Sequence, residues 1–284
     1  MIRKTHFFSK LIQKAKIQPI FKNQLTSHME NTTRIWRLFF AVGLFAIAIQ
    51  ELINKDFVMV MLPAGFPEWL SNRLIWDWIF SLPLAIACIC IILEIKARPV
   101  SLIVGAVLLL LVILFQVPGQ HTPMVLAFWV NPLKELALSG GAFLAAGSMT
   151  RENKVSSLEN FLEKLIPTGK YFFAVTMLIF GYTHFLYRDF VVTLIPNWIP
   201  GHVFWTYFAG AALMAGGLGI ILNIKRHLAA NLLGIAIFTW FIILHIPRAV
   251  ADPHSGNGNE ITSVFEALSF SGIAFLIGRK KAKN

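Results

Sequence analysis

Charge is scarce in this chain, and cysteine scarcer still. Only 14% of the 284 residues are charged, with 14 Asp and Glu against 25 Lys and Arg, and two residues are cysteines. Cys88 and Cys90 exclude a disulfide-stapled secreted domain. Two positions apart on a helix, they point about 200° apart around the axis and cannot pair. They read as small apolar residues. No Gly-rich phosphate loop, nucleophile elbow or paired-carboxylate motif occurs, nor any Cys-x-x-Cys or His-x-x-x-His. The common nucleotide-binding, hydrolytic and locally spaced metal sites therefore have no footprint here. Residues 1–34 contain no apolar core of the length a secretory signal needs.

What the chain has is apolar length. Hydrophobic residues make up 56% of it, and the mean hydropathy is +0.67. Eight stretches match a bilayer core of roughly 30 Å at about 1.5 Å per helical residue. They lie near 35–53, 75–95, 99–117, 132–149, 171–187, 203–222, 228–246 and 262–278. The expectation is an all-α, polytopic membrane protein with eight transmembrane helices. A net charge of +11 would suit nucleic acid, but its distribution does not. With the amino terminus in the cytoplasm, 20 of the 25 Lys and Arg fall on the inner side, and only Lys55, Arg73, Lys134, Arg188 and Arg248 fall outside. Every inner segment is basic, as the positive-inside rule requires. Both termini are thus expected in the cytoplasm, in a bacterial inner membrane. The bilayer is the expected partner, with a membrane or periplasmic protein as a further one and nucleic acid excluded.

An internal repeat organises the chain. A gap-free shift of 133 residues lays Lys55-Asp56-Phe57-Val58 on Arg188-Asp189-Phe190-Val191, Pro63 on Pro196, Pro67 on Pro200 and Glu51 on His184. A shift of 129 lays Ile95-Lys96 on Ile224-Lys225, and Phe115-Gln116-Val117-Pro118 on Leu244-His245-Ile246-Pro247. A shift of 132 lays Ser139-Gly140 on Ser271-Gly272. Four spans per half make the halves parallel, related by an axis along the membrane normal. The expected divisions are a basic tail (1–34), a first four-helix repeat (35–149), a polar cytoplasmic linker (150–170), a second repeat (171–278) and a basic tail (279–284). In the first tail Phe7, Phe8, Leu11, Ile12 and Ala15 share one helical face up to Pro19. That tail is either an amphipathic helix on the inner membrane surface or a disordered, topology-setting segment.

The second half resembles the DoxX-like family of four-helix membrane proteins. The resemblance rests on Gly181-x-x-His184-Phe185, on Leu194-Ile195-Pro196-x-Trp198-x-Pro200, on Phe204 to Leu218 with Gly210 and Gly216-Gly217, and on His245-Ile246-Pro247. It covers roughly 171–278, with the first half a more diverged copy. It implies a subunit or partner of a membrane redox system, with a quinone as the cofactor. The family often carries an acid in the sixth helix after its glycine. Here that stretch reads Ala209-Gly210-Ala211-Ala212-Leu213-Met214, so no role for that carboxylate carries over.

By the same topology Gln50, Glu51, Gln116, Glu135, His184, His245 and Glu266 all fall in the outer part of the membrane. Ionisable groups at such depth are costly and face a bundle interior or a wet cavity. One reading is a shared, outward-opening polar cavity, with His184, His245 and Glu266 as the catalytic candidates. Histidine and carboxylate together pass protons near neutral pH or hydrogen-bond a quinone carbonyl. Two histidines on different helices would also suit a haem iron, although no local metal-ligand spacing is present. The structural alternative is that Glu51 and His184 satisfy a neighbouring loop backbone or pair with Lys55 and Arg188. Arg188, Arg248 and Trp198 complete the candidate ligand-facing set on the outer side. Three functions remain open: a redox subunit or partner, a small-solute or proton transporter, and a non-catalytic scaffold or receptor holding a protein through the outer Pro/Trp segments.

Overall fold

The computed structural model describes residues 29–63, 67, 72–120, 125–152 and 155–279. Residues 1–28 of the expected basic tail (1–34), most of the second half of the first outer segment with Trp69, the His121 loop and the last basic residues lie outside these. Every element among the described residues is helical. Seven helices are long and apolar enough to cross a membrane. The first is α1, Met29–Asn54. α2 (Arg73–Ile92) and α3 (Ala97–Leu111) follow, with α3 extended by a π-turn over Val112–Gln116. After α5 (Ser157–Glu163) comes α6 (Gly169–Leu186), the two forming one continuous span, Ser157–Leu186. α8 (His202–Ile221) is preceded by α7, a short outer helix over Arg188–Leu194. α9 (Arg226–Trp240) runs through a π-turn at Phe241–His245 into α10 (Ile246–Ala251), and α11 is Asn259–Gly278. The remaining expected segment, 132–149, folds as α4, Val130–Ala146. At 17 residues, with Lys134 and Glu135 near its start, α4 is shorter than each of the seven candidate spans. Pro83 does not break α2, which continues through it with the proline exposed on its outer face.

Element boundaries recur at fixed spacing. α8 begins and ends 129 residues after α2, α9 does so after α3, and the second π-turn does so after the first. The turns that lead into α3 and α9 place Glu94 and Lys96, then Asn223 and Lys225, in the left-handed region at φ between 43° and 59°.

Lipid supplies no hydrophobic drive between helices, so association relies on close van der Waals contact at small residues. α6 meets α8 at Gly181 and Gly210, where a Cβ on Gly181 would stand 2.5 Å from the Gly210 carbonyl oxygen. α3 meets α4 at Gly105, where the Phe143 ring lies 2.9 Å from an added Cβ. α9 meets α11 at Gly234 with the Phe275 ring at the same 2.9 Å. Two further contacts join the early and late helices. A Cβ on Gly140 of α4 would meet Phe172 of α6 at 3.0 Å, and one on Gly272 of α11 would meet Phe39 of α1 at 2.9 Å. Fully buried Phe40, Phe173 and Ile273 fill the centre, with Phe173 edge-on to Phe270 at 5.9 Å.

The carboxyl ends of α4 and α11 are closed by basic side chains. Arg98 donates to the Ala146 carbonyl at 2.9 Å and pairs with Glu163 at 2.7 Å, while Arg279 donates to the Gly147 carbonyl at 2.6 Å. His227 also stands at the end of α11, its Nδ1 3.2 Å from the Gly278 carbonyl. Positive groups there complement both the unpaired carbonyls and the helix dipole.

The α6–α8 crossing gives a direct test. Gly181→Leu is expected to destabilise the protein by about 1–3 kcal/mol through overpacking. Ala211→Leu, on the exposed face of α8, is expected to be close to neutral. Thermal unfolding in detergent checks both.

Candidate functional site

A cavity of about 270 Å³ lies in the second half, enclosed by α6, α8, α9 with its π-turn, and α11. Its walls are apolar and largely aromatic, with Phe180, Trp205, Phe208, Trp240 and Phe270 prominent. Its polar groups are Lys134, His184, Thr206, His245, Ser263 and Glu266. The three catalytic candidates expected from the sequence are therefore brought together. They are joined by a lysine from α4, a helix of the other half.

Lys134 Nζ lies 2.7 Å from Glu266 Oε2, with little of either side chain exposed. The pair engages only one carboxylate oxygen. Glu266 Oε1 is buried with no hydrogen-bond partner, and so is His245 Nδ1. His184 is arranged differently. Its Nδ1 stands 2.7 Å from the Phe180 carbonyl one turn earlier. A carbonyl only accepts, so Nδ1 carries the proton and Nε2 is left as an acceptor. The site thus offers a cationic donor, a free carboxylate oxygen and two imidazoles at one end of an apolar chamber.

Local backbone geometry sets His245. A π-turn widens the helix by one residue and re-aims the side chains that follow. The first-half counterpart, Gln116, sits at the end of an equivalent π-turn but donates to the Met59 and Val60 carbonyls, both at 3.0 Å. One position ties down a loop, while the other lines a cavity with its Nδ1 buried and unpartnered.

The other candidate residues do not line this chamber. Glu51 is 1% exposed, accepts the Val58 N–H at 3.1 Å and lies 2.9 Å from the Ser81 hydroxyl. Glu135 is fully buried in the first half, with Gln116 and Glu51 as its polar neighbours. Gln50 donates to the Gly258 carbonyl at 2.9 Å and accepts from Thr262 at 3.0 Å, holding the last outer loop against α1 beside a separate, open groove. Arg188 is exposed and pairs with its neighbour Asp189 at 2.9 Å. Arg248 pairs with Glu260 at 2.8 Å and donates to the Leu194 carbonyl at 3.0 Å, tying α10 to α7 and α11. Trp198 is 64% exposed. In place of one shared cavity, the structure has a chamber in the second half and a closed acid cluster in the first.

No family model, curated protein or solved structure matches this chain.

Among the described residues no group of three or more His, Cys, Asp or Glu is placed to hold a metal ion. Lys134, Thr206 and Ser263 are the polar wall residues that sequence reasoning did not assign to the site. For Lys134 a signal existed, because the shift of 132 residues that aligns Ser139 with Ser271 also lays Lys134 on Glu266.

Gln50 separates structural from ligand-facing groups. Gln50→Leu removes two buried hydrogen bonds, while the Gly258 carbonyl keeps the Thr262 N–H at 3.0 Å and the Thr262 hydroxyl at 3.2 Å, so the expected cost is about 0.5–1.5 kcal/mol. Thermal unfolding measures the loss, and limited proteolysis in the 252–258 loop should rise with it.

Proposed function

We propose that this chain is a DoxX-like membrane protein of eight spans, built as two parallel four-helix units. Its second unit binds a small lipophilic ligand with a hydrogen-bonding head group, of quinone type, within a membrane redox system. The observation that carries this reading is the pairing of an apolar, aromatic chamber with two buried polar atoms, Glu266 Oε1 and His245 Nδ1, that no protein group satisfies. Buried polar atoms are nearly always partnered, so two such atoms at one end of a cavity fit a missing guest. At about 270 Å³ the chamber suits a ring head group, with any longer tail leaving between helices.

The residues present fit a quinone. A quinone carbonyl accepts, and the Lys134 ammonium or a protonated His245 nitrogen would donate to it. A quinol hydroxyl donates, and Glu266 Oε1 would accept. A bound quinone would supply two-electron, two-proton redox chemistry. The protein's share is to bind and orient the head, to exclude water with the aromatic walls, and to hold protons on His184, His245 and Glu266.

Several observations support the eight-span reading. The 3₁₀ turn Leu126–Trp129 runs directly into α4, so the helical stretch from 126 to 146 is long enough for a span. The recurrence of α2, α3 and the π-turn at a spacing of 129 fits a duplicated unit. The excess of Lys and Arg on one side favours both termini in the cytoplasm of a bacterial inner membrane.

Trp205 and Trp240 line the chamber and report on its contents. Titration with a short-tailed quinone is expected to quench their fluorescence saturably. His245→Leu should weaken binding at least about tenfold, and Ala212→Phe, which fills the chamber, should abolish it. Equal quenching of the wild type and both variants would mean that the quinone only partitions into lipid or detergent, and the reading would fail.

A further inference from the structure

The acid cluster of the first half has no part in the chamber and is built around one hydroxyl. Ser81 Oγ lies 2.7 Å from Asp77 Oδ1 and 2.9 Å from Glu51 Oε2. All three residues are 1% exposed or less. A serine hydroxyl has one hydrogen to donate, and an ionised carboxylate only accepts. Ser81 satisfies one carboxylate as donor. The contact with the other requires a protonated carboxyl donating to Ser81 Oγ. One of Asp77 and Glu51 therefore carries a proton, whichever way the hydroxyl points.

The surroundings support this. Asp56 faces Glu51 from the loop after α1, Asp77 and Ser81 face it from α2, and Glu135 faces it from α4, with Gln116 of the π-turn beside Glu135. Lys134, next to Glu135 in sequence, is paired with Glu266 in the other half. Glu135 is 0% exposed, a setting in which an ionised carboxylate is costly. No three acids converge as metal ligands among the described residues. A proton is the ligand that fits.

We propose that the first half contains a proton-binding site, in which Ser81 bridges a carboxyl and a carboxylate on Glu51 and Asp77 and Glu135 holds a further proton. The outer loop closes over it: Glu51 Oε1 accepts the Val58 N–H, and Gln116 holds the Met59 and Val60 carbonyls. Exchange with the outer face accordingly requires this loop to open. The site stands independently of any ligand in the second half.

Infrared spectroscopy of the full-length protein in lipid nanodiscs tests it, through the C=O stretch of protonated carboxyls. At neutral pH the wild type should show that band, shifted to lower frequency in D2O. The band should diminish in Glu51→Gln and again in Glu135→Gln, and remain in Asp189→Asn, which changes an exposed acid. Ser81→Ala keeps all three acids and removes the bridge, so it should change the band's frequency even if a carboxyl variant fails to fold. Absence of the band from the wild type at neutral pH would overturn the proposal. So would a band untouched by all three cluster substitutions.

Discussion

A lysine and a glutamate 2.7 Å apart, one from each half of the chain, sit where water does not reach freely. Removing either partner leaves an uncompensated buried charge, whereas the pair itself adds little net stability after its desolvation cost. Its consequence is specificity of arrangement. Lys134 on α4 reaches Glu266 only if α4 and α11 pack in one register, and that register puts the free Oε1 of Glu266 and Nδ1 of His245 at the same end of one cavity.

The close helix crossings make that register available. In lipid a helix gains nothing by hiding leucine from its surroundings, so the contacts that matter are those that let backbones approach. Gly140 against Phe172 and Gly272 against Phe39 bring the early and late helices together. Gly105 with Phe143, and Gly234 with Phe275, do the same within each half. The chamber opens where this rule lapses. There Trp205, Trp240 and Phe180 are too large to interdigitate and wall a space instead.

How much of this could be read in the sequence depends on the kind of interaction. Helix positions were legible because apolar length is set by bilayer thickness. The predicted segments 203–222 and 262–278 fold as His202–Ile221 and Asn259–Gly278. α4 was the marginal case, since Lys134 and Glu135 shorten its apolar stretch. The meeting of His184, His245 and Glu266 was also legible, from matched positions at one membrane depth. The partition of the site was not. Glu51 matches His184 by position, yet the first carries a hydroxyl and a loop amide while the second lines the cavity. Gln116 and His245 end equivalent π-turns, which no 3.6-residue periodicity reveals. The shift of 132 lays Lys134 on Glu266, but the ion pair between them appears only in the three-dimensional packing.

The account's central claim is that Lys134 and Glu266 couple the two halves. A double-mutant cycle measures this most directly, using Lys134→Met, Glu266→Gln and the two together, with unfolding free energies in detergent. The claim predicts that each single change costs about 3–5 kcal/mol and that the double mutant is less destabilised than the sum by about 1–3 kcal/mol. Additive effects, with no coupling beyond about 0.5 kcal/mol, would contradict it and leave the two residues as independent neighbours.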